Sequence, residues 1–240
     1  MKILRKINDF FFKTECLGCQ TKGSLLCDEC LSRLSQLEMN FCPFCFKISK
    51  FGSTCSFCQK RRSLDGAIVA LNYQDPLVRK LIKSAKYKPF LSALLLKSTK
   101  CLTEKVRRSP LYKNYFLKEK FILVPIPLTR RKEAERGFNQ AEIIARELAT
   151  QLNLPLDVKT LKKIINAGPQ SHLNLKERRK NIEHSFFSDP VRSKGKNFIL
   201  VDDLITSGST IDEATKTLKK AGAYKIWAFA LARNLKNPVK

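Results

Sequence analysis

Long apolar runs, histidines and acids are what this 240-residue chain is short of. No window approaches the roughly 18 consecutive apolar residues a membrane-spanning helix requires, which excludes that class. The opening "MKILRKINDFFFK" has "FFF" as its longest apolar run and no small-residue cleavage site behind it, so it does not read as an export signal. It is a helix packed on the body, or a brief basic contact with a membrane surface. His172 and His184 are the only histidines, and both read as surface or capping residues rather than catalytic bases. No low-complexity stretch forces disorder. A chain 43% hydrophobic and 28% charged is an ordinary soluble one, long enough for one full domain and a small one.

Acids number 21 against 46 bases, a formal charge of +25. Residues 1–65 hold 11 bases and 6 acids, a net of +5, so +20 falls to residues 66–240. Excess of that size favours polyanions such as nucleic acid or phosphate-rich ligands, through counterion release and steering. A basic solvated surface with no specific partner is the bland alternative.

What is there in plenty is cysteine. Eight of the nine form four pairs of one spacing, Cys16-x2-Cys19, Cys27-x2-Cys30, Cys42-x2-Cys45 and Cys55-x2-Cys58. A two-residue gap lets both sulfurs of a turn face one metal, so the pattern predicts two structural tetrathiolate zinc sites. A disulfide framework belongs to secreted chains. Sequential use, Cys16/Cys19/Cys27/Cys30 and Cys42/Cys45/Cys55/Cys58, is favoured because each intervening loop can fold back; an interleaved pairing stays open. Each tetrathiolate centre carries a net −2, leaving this small module at about +1 and the basic surface to the rest of the chain. Cys101, in "LLLKSTKCLTEKV", has no partner motif and reads as a buried small hydrophobe.

From residue 66 apolar runs alternate with helical periods. Strands are predicted at 67–73, 121–127, 197–201 and 225–232. Helices are predicted at 76–87 behind Pro76, at 90–108, at 138–153 with Ala141, Ile144, Ala145 and Leu148 on one face, and at 210–223 closed by Gly222. Alternation of this kind predicts an α/β fold, a mostly parallel sheet with flanking helices, preceded by the small zinc-ribbon module: residues 1–65, then 66–240. Ligands bind such sheets at the carboxyl ends of the strands.

That rule selects "NFILVDDLITSGST" (197–210). The strand is expected to end at Asp202–Asp203, with "LITSG" as the turn into a helix near Ser209–Thr210. Amides of a tight Thr206–Thr210 loop, the exposed amides of the helix start and three hydroxyls make a phosphate cradle, and Gly208 permits positive φ or close approach. A plain capped strand-to-helix loop is the alternative. Two acids would repel a phosphate, so they make sense as acceptors for the vicinal hydroxyls of a ribose whose 5′-phosphate sits in the loop.

"FILVDDLITSGST" resembles the phosphoribosyl-pyrophosphate (PRPP) motif of type I phosphoribosyltransferases. The whole chain resembles the ComF competence protein family, a double zinc ribbon fused to a phosphoribosyltransferase-like domain. The likeness rests on the cysteine pairs, on "KSAKYKP" (83–89), "VPIPLTRRKEAERGFNQAEIIARELA" (124–149) and "GPQSHLNLKERRKNIEHSF" (168–186), and on the acid-pair motif. Gln20, Leu31, Phe46 and Gln59 stand where glycine commonly follows a zinc-knuckle pair, a departure from the usual knuckle geometry. The resemblance implies that Asp202 and Asp203 contact ribose and that Thr206, Ser207, Gly208, Ser209 and Thr210 hold the 5′-phosphate. It puts a pyrophosphate loop at 128–139, with Arg130, Arg131, Lys132 and Arg136. A mobile lid falls at 168–181, with Lys176, Arg178, Arg179 and Lys180.

Two functions fit. One is an active magnesium-dependent phosphoribosyltransferase using PRPP, whose acceptor nucleophile no stretch announces. The other, favoured by the family's association with natural transformation, is a cytoplasmic competence protein that handles incoming single-stranded DNA. There Arg130, Arg131, Arg136, Arg178 and Arg179 would track phosphates, and Phe138 and Tyr87, both more often core residues, would stack on bases. Beside these two, a third, non-enzymatic reading is a scaffold for a DNA-uptake helicase or channel, the protein partner to expect.

Overall fold

The structure, a computed structural model, describes residues 15–87, 92–164 and 185–235. Its centre is a four-stranded, wholly parallel sheet of β1 (Gly66–Asn72), β2 (Ile122–Pro125), β5 (Phe198–Ile205) and β6 (Ile226–Arg233), in spatial order β1-β6-β5-β2. A separate antiparallel hairpin pairs β3 (Leu161–Lys163) with β4 (Phe186–Ser188). The helices are α1 (Asp28–Ser32), α2 (Ser56–Gln59), α3 (Pro76–Tyr87), α4 (Ser92–Arg108), α5 (Arg130–Arg136), α6 (Gln140–Leu152), α7 (Pro190–Ser193) and α8 (Ser209–Lys220).

Strands of this sheet are apolar nearly throughout because both faces are covered. On β5, Ile199 and Val201 join one core with Trp227 and Phe229 of β6 and with α3, α4 and α6. Phe198 and Leu200 join a second core with Ala228 and Ala230 and with Ile211, Ala214 and Leu218 of α8. The predicted stripe of α6 is buried as drawn, Ala141, Ile144, Ala145 and Leu148 all lying inside, and Cys101 is buried as expected. A π-helical turn at Tyr112–Leu117 brings Phe116 edge-on to Phe121, Trp227 and Phe229 at centroid distances of 5.2–5.4 Å.

The cysteine region wraps the β1 edge. Leu37 N–H donates to Ala70 O at 2.7 Å, Asn72 N–H to Ser35 O at 2.8 Å and Thr54 N–H to Asp65 O at 2.8 Å. An exposed row of strand N–H and C=O groups is thereby closed. Asp75 serves both sides: Oδ1 caps α3 through Leu77 N–H at 2.7 Å, and Oδ2 accepts from Ser35 N–H at 2.8 Å. Cys16 and Cys30 belong to the first core and Cys42 and Cys58 to the second, so the two cysteine groups sit on opposite faces of the sheet.

Some predicted bounds shift. β5 continues to Ile205, so the two acids lie inside the strand and the loop before α8 shrinks to Thr206–Gly208. The cause is pairing: Asp202, Leu204 and Ile205 keep register with Ala230, Ala232 and Arg233 of β6. β2 ends at Pro125, two residues early. α8 stops at Lys220, and Gly222 at φ +90° closes it, with Ala223 N–H donating to Leu218 O at 3.0 Å.

Candidate ribose-phosphate site

α8 begins without a side-chain cap. Gly208 stands at its N-cap with φ +74°, and the amides of Ser209, Thr210 and Ile211 have no intrahelical acceptor. Ser207 Oγ lies 2.9 Å from Ser209 Oγ and accepts weakly from Ser209 N–H at 3.4 Å. The result is a short, hydroxyl-lined turn with outward-pointing amides at the positive end of a twelve-residue helix, where anions are favoured. A Cβ on Gly208 would come within 3.2 Å of the Phe44 ring, a tight contact that adds to the left-handed φ in favouring glycine.

Consecutive residues of a strand point to opposite faces, and the two acids accordingly have different neighbours. Asp203, 8% exposed, takes Lys86 of α3 at 3.0 Å from Oδ2, an ion pair without hydrogen-bond alignment. Asp202 is half-buried, accepts from Asp203 N–H at 2.9 Å, and its charge is felt at Lys163 of β3. Burial, with the neighbouring Asp203 charge second and Lys86 opposing, raises the Asp202 carboxyl to about 8. At neutral pH it keeps its proton. Burial and then the charge of Lys132 pull Lys163 down; burial and then Arg136 pull Lys132 down. Cations therefore crowd the acids, as an anion site requires.

Of the basic residues predicted for ligand contacts, Arg136 donates to Gln140 Oε1 at 3.0 Å, and its charge is felt at Lys86. Arg130 lines a cavity of about 500 Å³ beyond β2, together with Leu128, Thr129, Lys162 and Lys163. Arg131 is exposed and bound to Glu135 at 2.8 Å one turn on. Phe138 packs against the first core. Lys176, Arg178, Arg179, Lys180, His172 and His184 lie outside the described residues, as does the Tyr87 side chain. Lys86 and Lys163 were not singled out from sequence. Lys86 stands within "KSAKYKP", one of the stretches that carries the family likeness; nothing in "LKK" marks Lys163.

The cysteines group sequentially, Cys16/Cys19/Cys27/Cys30 and Cys42/Cys45/Cys55/Cys58, with all sulfurs of each set within 4.8 Å of one another. Separations of 3.7 Å for Cys16–Cys27, 3.6 Å for Cys19–Cys27 and 3.6 Å for Cys45–Cys55 match the edge of about 3.8 Å expected for a tetrahedron of sulfurs about 2.3 Å from zinc. Both sets could hold zinc. Burial resists ionisation of Cys42, but the amides of Cys45, Cys55 and Phe44 outweigh it and the thiol falls to about 7. The glycine departures resolve locally: Gln20 and Phe46 adopt left-handed φ of 64° and 62° after their pairs, whereas Leu31 and Gln59 lie in α1 and α2.

The second cysteine group touches the loop. Phe44 lies against Gly208, Arg62 stacks on Phe44 at 5.0 Å, and Arg62 Nη1 reaches Oδ2 of the buried Asp212, in the first turn of α8, at 2.6 Å. Fully buried Arg233 donates to Pro43 O at 2.7 Å and lies 4.3 Å over the Phe46 ring. Burial lowers the guanidinium to about 10 against the opposing charges of Cys42 and Cys45.

Comparison with known proteins matches residues 136–239 to a family described as "Phosphoribosyl transferase domain". "Competence protein F" of Haemophilus influenzae is 27% identical over 235 residues, 93% of this chain and 98% of that one. "Competence protein ComFC" of Bacillus subtilis is 27% identical, covering 87% of this chain and 84% of that one. "DNA utilization protein YhgH" of Salmonella typhi is 32% identical over 114 residues, about half of either chain at 47% and 49%.

Proposed function

We propose, for this member of the ComF family of competence proteins, that it handles incoming single-stranded DNA during natural transformation, holding one ribose-phosphate unit of the strand at the 202–210 site. The observation that carries the reading is the uncapped N-terminus of α8 behind Gly208, set next to an acid pair that has Lys86 ion-paired to Asp203 and Lys163 within electrostatic reach of Asp202. Such a turn takes a phosphate on its amides, and acids beside it take sugar hydroxyls. The remaining +20 of residues 66–240 supplies sequence-independent attraction along the rest of the strand. The names of the relatives, competence and DNA utilization, support the same direction.

In this reading zinc fills both cysteine sites, the protein works in the cytoplasm, and a DNA-uptake helicase or channel is its partner. Described residues include no helix long and apolar enough to cross a membrane. The test is anisotropy of a labelled oligonucleotide. Six or more phosphate contacts on a single strand predict a loss of at least about 300-fold in affinity between about 50 and 200 mM salt. Charge reversal at Arg178 and Arg179 should abolish binding. Weak binding indifferent to salt would end the proposal.

The match to a phosphoribosyl transferase domain favours a second reading, magnesium-dependent use of PRPP with an unidentified acceptor. It predicts calorimetric PRPP binding that requires magnesium and that Asp203→Asn weakens. No heat at millimolar PRPP would sink it.

A further inference from the structure

Arg233, at the end of β6, is the largest fully buried side chain among the described residues, 1% exposed. A guanidinium stays charged at neutral pH, and a buried charge needs a partner. The contacts described for Arg233 are the Pro43 carbonyl and the Phe46 ring, with its Nε unpaired. The opposing charges it feels are those of Cys42 and Cys45. Four neutral thiols would leave the guanidinium without a counter-charge. Four thiolates around a divalent metal carry a net −2 and supply one.

The same residue is tied to the ligand loop. Arg233 pairs in register with Ile205, the last residue of β5, and Asn234 N–H donates to Ile205 O at 3.0 Å. Gly208 follows three residues later, with the Phe44 ring pressed against it. The group around Cys16 packs instead on the other face, against α3. We propose that Arg233 is the counter-charge of a tetrathiolate metal centre at Cys42, Cys45, Cys55 and Cys58, and that this centre, not the one at Cys16, Cys19, Cys27 and Cys30, sets the order of the 206–210 loop. What the loop binds rests on the function proposed above; the coupling of metal to loop does not.

The experiment uses the full chain and no ligand. In Cys16→Ser/Cys19→Ser, cobalt(II) reports the second site alone through its thiolate absorption. Adding Arg233→Met should weaken cobalt about 10- to 100-fold, as loss of an outer-shell partner does, and shift the band, while Arg233→Lys restores both. Cobalt at the first site, measured in Cys55→Ser/Cys58→Ser, should be indifferent to Arg233. Hydrogen exchange at the amides of residues 205–211 should accelerate about tenfold or more when the second site is empty and stay unchanged when the first is. Equal cobalt affinity with Met and Arg, or loop exchange that responds to both sites alike or to neither, overturns the proposal. Should Arg233→Met fail to fold, chelator titration of the two cysteine variants decides it by exchange alone. Failure of DNA or PRPP to bind leaves this outcome untouched, so the two proposals fall separately.

Discussion

Asp202→Asn isolates a carboxyl whose proton the fold holds. Burial and the Asp203 charge move Asp202 from 3.8 to about 8. Between those values the folded chain keeps a proton that the unfolded chain has released. Stability from this group is therefore complete below about pH 4 and is lost as pH rises through about 8. A shift of that size at about 1.4 kcal/mol per unit bounds the effect at about 6 kcal/mol. The carboxyl is half-buried, and water reaching it screens the penalty, so about 3 kcal/mol is expected. Asparagine has nearly the same shape and no charge to bury. Relative to wild type, Asp202→Asn should gain about 3 kcal/mol on going from about pH 4 to about pH 9, or about 6–12 °C in Tm for a chain of this size. Thermal melts of both proteins across that range measure it, and metal loss at low pH cancels because both carry the same cysteines. A stability difference independent of pH, or a variant that loses ground at high pH, refutes the assignment of a retained proton.

Gly208→Ala meets both a left-handed φ of +74° and the Phe44 ring at 3.2 Å; it should cost about 1–2 kcal/mol in a melt and weaken whatever anion the loop binds. Phe116→Ala empties the centre of an edge-on aromatic cluster that is fully buried, and denaturant unfolding should show a loss of about 3–5 kcal/mol. Removing metal with a strong chelator should turn eight slow thiols into fast ones in a thiol-reagent assay, with Cys101 remaining slow because it is buried on α4 rather than in either cysteine group. Fast reaction of all the cysteines before chelation would argue against metal occupancy.

The parallel sheet was legible because strands covered on both faces are written as apolar runs, "FILV" and "IWAFALA", between helices with clear apolar stripes. The β3–β4 hairpin was not. Its strands are three residues each, separated by more than twenty in sequence, and Lys162, Lys163 and Ser188 give no alternating apolar signal. The π-helical turn at Tyr112–Leu117 was equally silent, since its stability comes from Phe116 reaching a tryptophan more than a hundred residues away. The extension of β5 through Asp202 and Asp203 was missed for a related reason: acids read as the end of a strand when only local preference is weighed. Register with β6 overrides that preference, because two strands that both continue satisfy each other's backbone.

At the candidate site, the acid pair and the hydroxyl-lined loop were legible in the sequence and their electrostatic setting was not. Asp202 and Asp203 stand side by side in sequence and both feel Lys86, but only Asp203 is ion-paired to it, at 3.0 Å, and this makes them unequal. Asp203, paired with Lys86, is anchored; Asp202, raised by its own burial and then by the Asp203 charge, carries the proton. An acceptor for a sugar hydroxyl is better charged, so a ligand that brings hydroxyls or a divalent cation to Asp202 must displace that proton. Binding should then release protons to buffer at neutral pH, and a proton-inventory calorimetric titration in buffers of different ionisation enthalpy would show it. Binding with no proton release would mean that the ligand approaches Asp203 alone, and that the paired acids act as one acceptor and one spacer.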